Sequence, residues 1–288
     1  MGEQVGNTPL AVLGAGTMGL GITSLAVGHG VPVVLVESNS GNAAKAKAAV
    51  AGQLRMAQLM GALPADRERG AVTVTGTLAE VAAAGVVIEA VTEDLATKTK
   101  VLAEIESVTG PQVPLVSNTS SIPIDELAGC LADPTRLVGT HFMNPCYLIP
   151  AAEVVRGPRT SQHILDTVTG VLAVLARTPV VVRDGPGFVT SRVLHPMIND
   201  AIRVVQEGTA TVEAVDTLMQ DCLGHKTGPL RTADLIGLDN LADSLRVLAE
   251  RTGDARSAPC ELLLAKVSAG HLGRKSGQGF YDYGKAQL

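Results

Sequence analysis

The chain has 288 residues, 46% of them apolar and 18% charged, which is enough for about two domains with sizeable cores and excludes a disordered polymer. A formal net charge of -5 with no dense Lys/Arg run argues against nucleic acid or an anionic membrane surface as partner. No apolar run reaches the roughly 18–20 residues that span a bilayer, Met1-Gly2-Glu3-Gln4 lacks the features of a secretion signal, and the four cysteines lie too far apart for a zinc site, so a cytoplasmic, metal-free protein with buried thiols is expected.

Taken in order, Pro9 to Leu13 is a short apolar run followed at once by Gly14-Ala15-Gly16-Thr17-Met18-Gly19. In such a G-x-G-x-x-G turn the first two glycines let the backbone approach a pyrophosphate, and the third lets a helix pack on its strand. Thr17 and Met18 then open the helix, whose free N–H groups and positive dipole end suit phosphate. Leu20 to Val27 reads as that helix, and Val31 to Val36 as a buried parallel strand ending in Glu37. An acid at this point bonds the adenosine ribose hydroxyls and repels a 2′-phosphate, which favours NAD over NADP.

A helix is expected over Gly41 to Met60, a loop over Gly61 to Gly70, and a third strand over Ala71 to Thr75. Leu78 to Ala84 reads as helix, and the continuous apolar run Val86 to Val91 as a strand covered on both faces. A helix follows from Leu95 to about Val108, then a strand from Val113 to Ser117. The polar tails Thr92-Glu93-Asp94 and Asn118-Thr119-Ser120-Ser121 therefore fall at carboxyl ends of strands, where ligands of doubly wound sheets sit. Arg136 to His141, Tyr147 to Val155, a helix over Ser161 to Ala176 and a strand over Pro179 to Val182 complete an N-terminal Rossmann-type α/β domain over 1–184. From Phe188 strand signals fade, and Val189, Val193, Met197, Ala201 and Val205 recur at helical spacing. Further helices over Thr211 to Cys222, Thr232 to Arg251 and Ala258 to Ala269 give an all-helical C-terminal domain over 185–288.

Oxidising an alcohol with a nicotinamide needs a base for the hydroxyl proton, and histidine titrates near working pH. Of six histidines, His141 alone falls at a strand end of the first domain with polar neighbours, Thr140 and Asn144. A carboxylate would orient its ring. Glu153, twelve residues on, returns to it only if the two segments form a hairpin; otherwise it is a surface residue.

The glycine turn, Asn118-Thr119-Ser120-Ser121, His141-Phe142-Met143-Asn144-Pro145, Asp184-Gly185-Pro186-Gly187-Phe188, Gly224-His225-Lys226-Thr227-Gly228-Pro229-Leu230 and the final Gly277-Gln278-Gly279-Phe280-Tyr281 together resemble the short-chain 3-hydroxyacyl-CoA dehydrogenases. The resemblance implies NAD as cofactor, His141 as catalytic histidine with Glu153 as its partner, and Ser120 and Asn144 at the reacting oxygen. It also implies Glu93, Lys98 and Asn118 on the cofactor side, and a homodimer formed through the helical domain. Ser191 stands where many relatives have Asn, with Asn199 nearby as a replacement, and Ala51 to Met60 carries only Arg55 where relatives place lysines for the CoA phosphates. Met56, Leu59 and Met60 read either as core or as exposed residues. The sparse charge opens a carrier-protein-bound hydroxyacyl unit, for example glyceryl, as an alternative to CoA. A non-catalytic NAD-binding protein is the third reading.

Overall fold

The structure, a computed structural model, describes residues 8–284, which divide between Gly185 and Pro186 into two compact units. In the first, eight strands form one sheet: β1 Leu10–Leu13, β2 Val33–Val36, β3 Val72–Thr75, β4 Val86–Glu89, β5 Leu115–Ser117, β6 Leu137–His141, β7 Ala151–Arg156 and β8 Thr178–Arg183. Their order is β3-β2-β1-β4-β5-β6-β7-β8. The pairs from β3 to β6 are parallel, as the unbroken apolar runs require, but β7 returns antiparallel to β6 and sets His141 opposite Glu153. The sheet is thus mostly rather than wholly parallel, and the sequence alternative of a hairpin is the one realised.

Five helices flank this sheet: α1 Thr17–Gly28, α2 Ser40–Leu59, α3 Leu95–Val108, α4 Ile124–Ala128 and α5 Gln162–Val174. The short α4 falls where no element is expected, and Leu78–Ala83 forms a 3-10 helix. Side-chain caps start the longer ones: Asn39 accepts from Asn42, Asp94 from Thr97 and Ser161 from Ile164. The core beneath them rests on Ile22, Leu25, Leu35, Val50, Val138 and Leu172. At about 1.5–3 kcal/mol for each fully buried side chain of this size, such residues offset the chain entropy lost on folding.

The second unit contains α6 Thr190–Gln206, α7 Val212–Asp221, α8 Pro229–Ile236, α9 Leu238–Thr252 and α10 Glu261–Ser268. The single helix expected over Thr232 to Arg251 is two, because Gly237 adopts φ +96, which a helix cannot continue through. The apolar stripe that opens this unit starts outside the core and then joins it: Met197, Ala201 and Val205 pack against the buried cluster, whereas its first two members do not. Val189 is 50% and Val193 65% exposed, while Ser191, His195, Ile198, Asn199 and Ile202 are buried.

The unit is closed by two buried aspartates. Asp216 accepts from the N–H groups of Leu230 and Arg231 and from the Tyr281 hydroxyl. Asp234 accepts from the N–H groups of Phe280 and Tyr281 and from the Tyr283 hydroxyl. These bonds convert the glycine-rich tail from a surface strap into part of the fold. Of the four thiols only Cys146 and Cys260 are buried; Cys222 is exposed and Cys130 half-buried, so the expectation of four buried thiols is corrected.

Candidate active site

The glycine turn connects β1 to α1. Gly14 takes φ +97, a conformation open to glycine, and a Cβ there would press on the Ala90 carbonyl. A Cβ on Gly19 would collide with the Gly14 carbonyl oxygen. Around Gly16 nothing lies within 4 Å, and no side chain caps α1. That combination fits a dinucleotide: space for a pyrophosphate against bare N–H groups at the helix end that includes Thr17 and Met18. Glu37, at the end of β2, accepts from the Ala15 N–H at 2.9 Å through one oxygen and from the Asn39 N–H at 2.8 Å through the other. It pins the turn, and each oxygen keeps a second lone pair for a ribose hydroxyl. Gly16→Ala is expected to leave the melting temperature of the free protein unchanged and weaken NADH binding at least about tenfold, or about 1.4 kcal/mol, in a fluorescence titration. Unchanged affinity would place the pyrophosphate elsewhere.

Lys98 on α3 is sealed from solvent. Its Nζ lies 2.7 Å from Glu89 and 3.2 Å from Glu93, and donates to the Val91 carbonyl at 3.4 Å. Three donors meet three acceptors, so Lys98 acts through its neighbours rather than by reaching a ligand. Glu89, also sealed, accepts in addition from the Val91 N–H and the Ser117 hydroxyl. The sequence reading missed Glu89, although an acid closing the apolar run Val86-Val87-Ile88 is itself a signal of a partnered charge.

Glu93 ties α3 to the segment after β5. Its Oε1 accepts from the Thr119 hydroxyl at 2.6 Å and from the N–H groups of Ser120 at 2.8 Å and Ser121 at 3.2 Å. Burial pushes the Glu93 carboxyl up, but the Lys98 ammonium and the Thr119 and Ser120 hydrogen bonds outweigh it and hold it below the ordinary glutamate value. A carboxyl lowered on folding adds stability that is full above the unfolded pKa and lost as pH falls through the folded one. Hydrogen exchange at the Ser120 and Ser121 amides should therefore accelerate, relative to Val116 in β5, as pH drops below the ordinary glutamate range. Constant relative protection there would refute the clamp.

His141 ends β6 and Glu153 lies in β7, paired in register. His141 Nδ1 stands 2.9 Å from Glu153 Oε2, and both residues are buried. A carboxylate accepting from Nδ1–H selects the tautomer with its lone pair on Nε2 and stabilises the imidazolium that forms when that nitrogen takes a proton. Asn118 spans the neighbouring strand ends, its Oδ1 accepting from the Phe142 N–H at 3.1 Å. Ser120 follows two residues later, half-buried, and Asn144 is exposed just past His141, before the cis bond to Pro145. The carboxyl ends of β2, β1, β4, β5 and β6, which are adjacent in the sheet, thus carry Glu37, the glycine turn, Glu93, Ser120 and His141 along one edge.

The remaining sequence candidates lie in the second unit or on α2. Ser191 is buried in α6. Asn199 is sealed, and both ends of its amide serve that unit's own backbone, donating to Ala258 O and accepting from Cys260 N. On α2, Met56, Leu59 and Met60 are 51%, 78% and 54% exposed, which decides the open question against a core role. Among the described residues no cluster of side chains is suited to a metal, and no helix is long and apolar enough to cross a membrane.

Comparison with known proteins gives two family matches. Residues 9–185 match the 3-hydroxyacyl-CoA dehydrogenase NAD binding domain and residues 187–283 the 3-hydroxyacyl-CoA dehydrogenase C-terminal domain. The chain is 40% identical over 286 residues to the probable 3-hydroxybutyryl-CoA dehydrogenase of Bacillus subtilis (strain 168), covering 95% of this chain and 96% of that protein. Among solved structures it is similar to M. tuberculosis FadB2, with a TM-score of 0.91 and 37% identity over 96% of this chain and 99% of that one. It is also similar to (S)-3-hydroxybutyryl-CoA dehydrogenase PaaH1 from Ralstonia eutropha, with a TM-score of 0.88 and 35% identity over the same shares.

Proposed function

The chain belongs to the 3-hydroxyacyl-CoA dehydrogenase family and is an NAD-dependent enzyme of that type; from that premise we propose that His141 is its general base and a short 3-hydroxyacyl-CoA such as 3-hydroxybutyryl-CoA its substrate. The observation that carries the first part is the His141–Glu153 contact of 2.9 Å at the ligand-facing edge of the sheet.

The glycine turn and Glu37 would hold NAD, which would supply the acceptor for the hydride of the carbinol carbon. His141 Nε2 takes the hydroxyl proton, and Glu153 holds the ring in the required tautomer and offsets the charge it gains. Ser120 and Asn144 direct hydrogen bonds at the reacting oxygen, while Glu93, charged and anchored by Lys98, holds the segment that presents Ser120. Asn118 keeps the His141 strand end and the Ser120 strand end in fixed relation.

One observation favours a second reading. The exposed end of α2 carries Met56, Leu59 and Met60 beside Gln58, and Arg55 is the one cation that this half of the helix itself supplies, with Arg69 bonded to Gln58 from the loop beyond. Such a surface suits a thioester on a carrier protein as well as one on CoA. Following NADH consumption with acetoacetyl-CoA beside acetoacetyl carrier protein separates the two: faster turnover of the CoA ester supports the first reading, faster turnover of the carrier ester the second. We assign a homodimer to the exposed Val193, Leu218, Leu223 and Leu235 of the helical unit, each more than half exposed. Sedimentation as a monomer at assay concentration would remove that assignment.

A further inference from the structure

Among the described residues, the buried Lys and Arg side chains have carboxylate partners, with one exception. Lys98 has Glu89 and Glu93, and Arg136 has Glu106 at 3.9 Å. Arg177, only 8% exposed, has no carboxylate within 4 Å. Its Nε donates to Leu175 O at 3.2 Å, and one terminal nitrogen donates to Cys146 O at 3.3 Å and Ile149 O at 2.7 Å. The other terminal nitrogen has no protein partner, and it is not sealed from solvent. A buried guanidinium held by carbonyls alone keeps its full charge, and unpaired buried charge is costly unless something else supplies the counter-charge.

A cavity of about 500 Å³ lies beside it, lined by Arg177, Arg67, His29 and the Gly61–Pro64 turn that follows α2. Arg67 comes from the loop before β3. One of its terminal nitrogens donates to His29 O at 3.0 Å, and it too lacks a carboxylate within 4 Å. Asp66, also on the lining, is exposed and reaches neither guanidinium. Burial lowers the His29 pKa, its bond to Leu25 O opposes this, and the charges of Arg177 and Arg67 lower it further. The imidazole is therefore neutral at pH 7. The carbonyl ends of α1 and α5 face the same cations, but a helix end carries only about half a charge. The turn that delivers Arg177 is itself strained, since Ala176 takes φ +52, a left-handed conformation unfavourable for a residue with a Cβ.

We propose that this cavity binds a phosphate group. Two forked guanidiniums without carboxylates match a phosphate monoester in charge and in donor geometry, and the cavity accommodates the group with its attached alcohol. The phosphate has two possible sources: the nucleotide end of a CoA substrate, which rests on the activity proposed above, or a free phosphate-bearing metabolite. In either case Arg177 links the cavity to the active site, because the carbonyls it grips belong to the loop between His141 and Glu153.

Arg67→Glu tests this, since Arg67 is exposed and its side chain donates to the backbone carbonyls of His29 and Val174. Two measurements are needed. The first compares KM for acetoacetyl-CoA with KM for the acetoacetyl thioester of N-acetylcysteamine, which carries no phosphate. If CoA is the source, the ratio of the two KM values rises at least about fivefold in Arg67→Glu and returns towards the original value in Arg67→Lys. The second is the rise in melting temperature of the free protein with inorganic phosphate or adenosine 3′,5′-bisphosphate. Stabilisation present in the original protein and lost in Arg67→Glu, with an unchanged KM ratio, identifies a free metabolite as the source. No change in either measurement overturns the proposal. Failure to turn over either thioester would count against the activity reading, and the melting experiment would still decide the cavity.

Discussion

Replacing His141 by Gln is expected to lower kcat by about 10²–10⁴-fold, the usual contribution of a general base, with NADH affinity and melting temperature unchanged. Gln can still donate a hydrogen bond to Glu153, whose buried carboxylate is therefore not stranded. It cannot take up a proton near neutral pH. The loss in rate thus isolates proton transfer from packing. A parallel loss of NADH binding or of thermal stability would instead make His141 a structural residue, and kcat within threefold of the original would remove the base assigned here.

Lys98→Met should be the most destabilising of these substitutions. Removing one member of a buried pair costs about 3–5 kcal/mol because the other is left as an uncompensated charge. Glu89 is fully sealed, and its remaining bonds from Val91 N–H and Ser117 Oγ do not neutralise it. The melting transition of the sheet unit should fall by roughly 6–20 °C, reading 2–4 °C per kcal/mol for a unit of this size. Lys98→Met combined with Glu89→Leu should recover most of that loss, since an apolar pair of similar volume carries no buried charge. A double variant no better than the single one would mean that packing around the lysine stem, rather than charge, dominates. Activity of the single variant should fall with stability, because Glu93 loses the cation that anchors it beside Ser120.

Much of this site is legible in the sequence because the relevant signals are local. G-x-G-x-x-G is a statement about backbone space, and Gly14 and Gly19 meet the carbonyls of Ala90 and Gly14 as that reasoning requires. The polar tails after β4, β5 and β6 lie on the sheet edge because a parallel sheet places all its carboxyl ends together. The pairing of His141 with Glu153 depends on a reversal of strand direction that apolar content does not encode, and it emerges only with the antiparallel register of β6 and β7. Lys98 reads as a ligand contact in sequence and is a buried anchor in the structure, since its partner Glu89 lies nine residues away on another element. Asn199 shows the same limit. A polar residue on an amphipathic helix gives no sign of which backbone it will serve, and here it serves Ala258 and Cys260. Gly237 was available as a break between α8 and α9, but an isolated glycine inside a helical pattern is ambiguous until its φ is known.

The tail clasp of the helical unit sets an order of events during synthesis. The sheet unit has all its strands once residue 183 is made, whereas Asp234 waits for the N–H groups and hydroxyl of residues 280–283, and Asp216, met earlier by Leu230 and Arg231, still waits for the Tyr281 hydroxyl. Asp234 precedes its partners by 46 to 49 residues, so at about 5–20 residues per second its carboxylate stays unmet for roughly 2–10 s. The cofactor turn can be in place, and occupied, well before the last residues arrive.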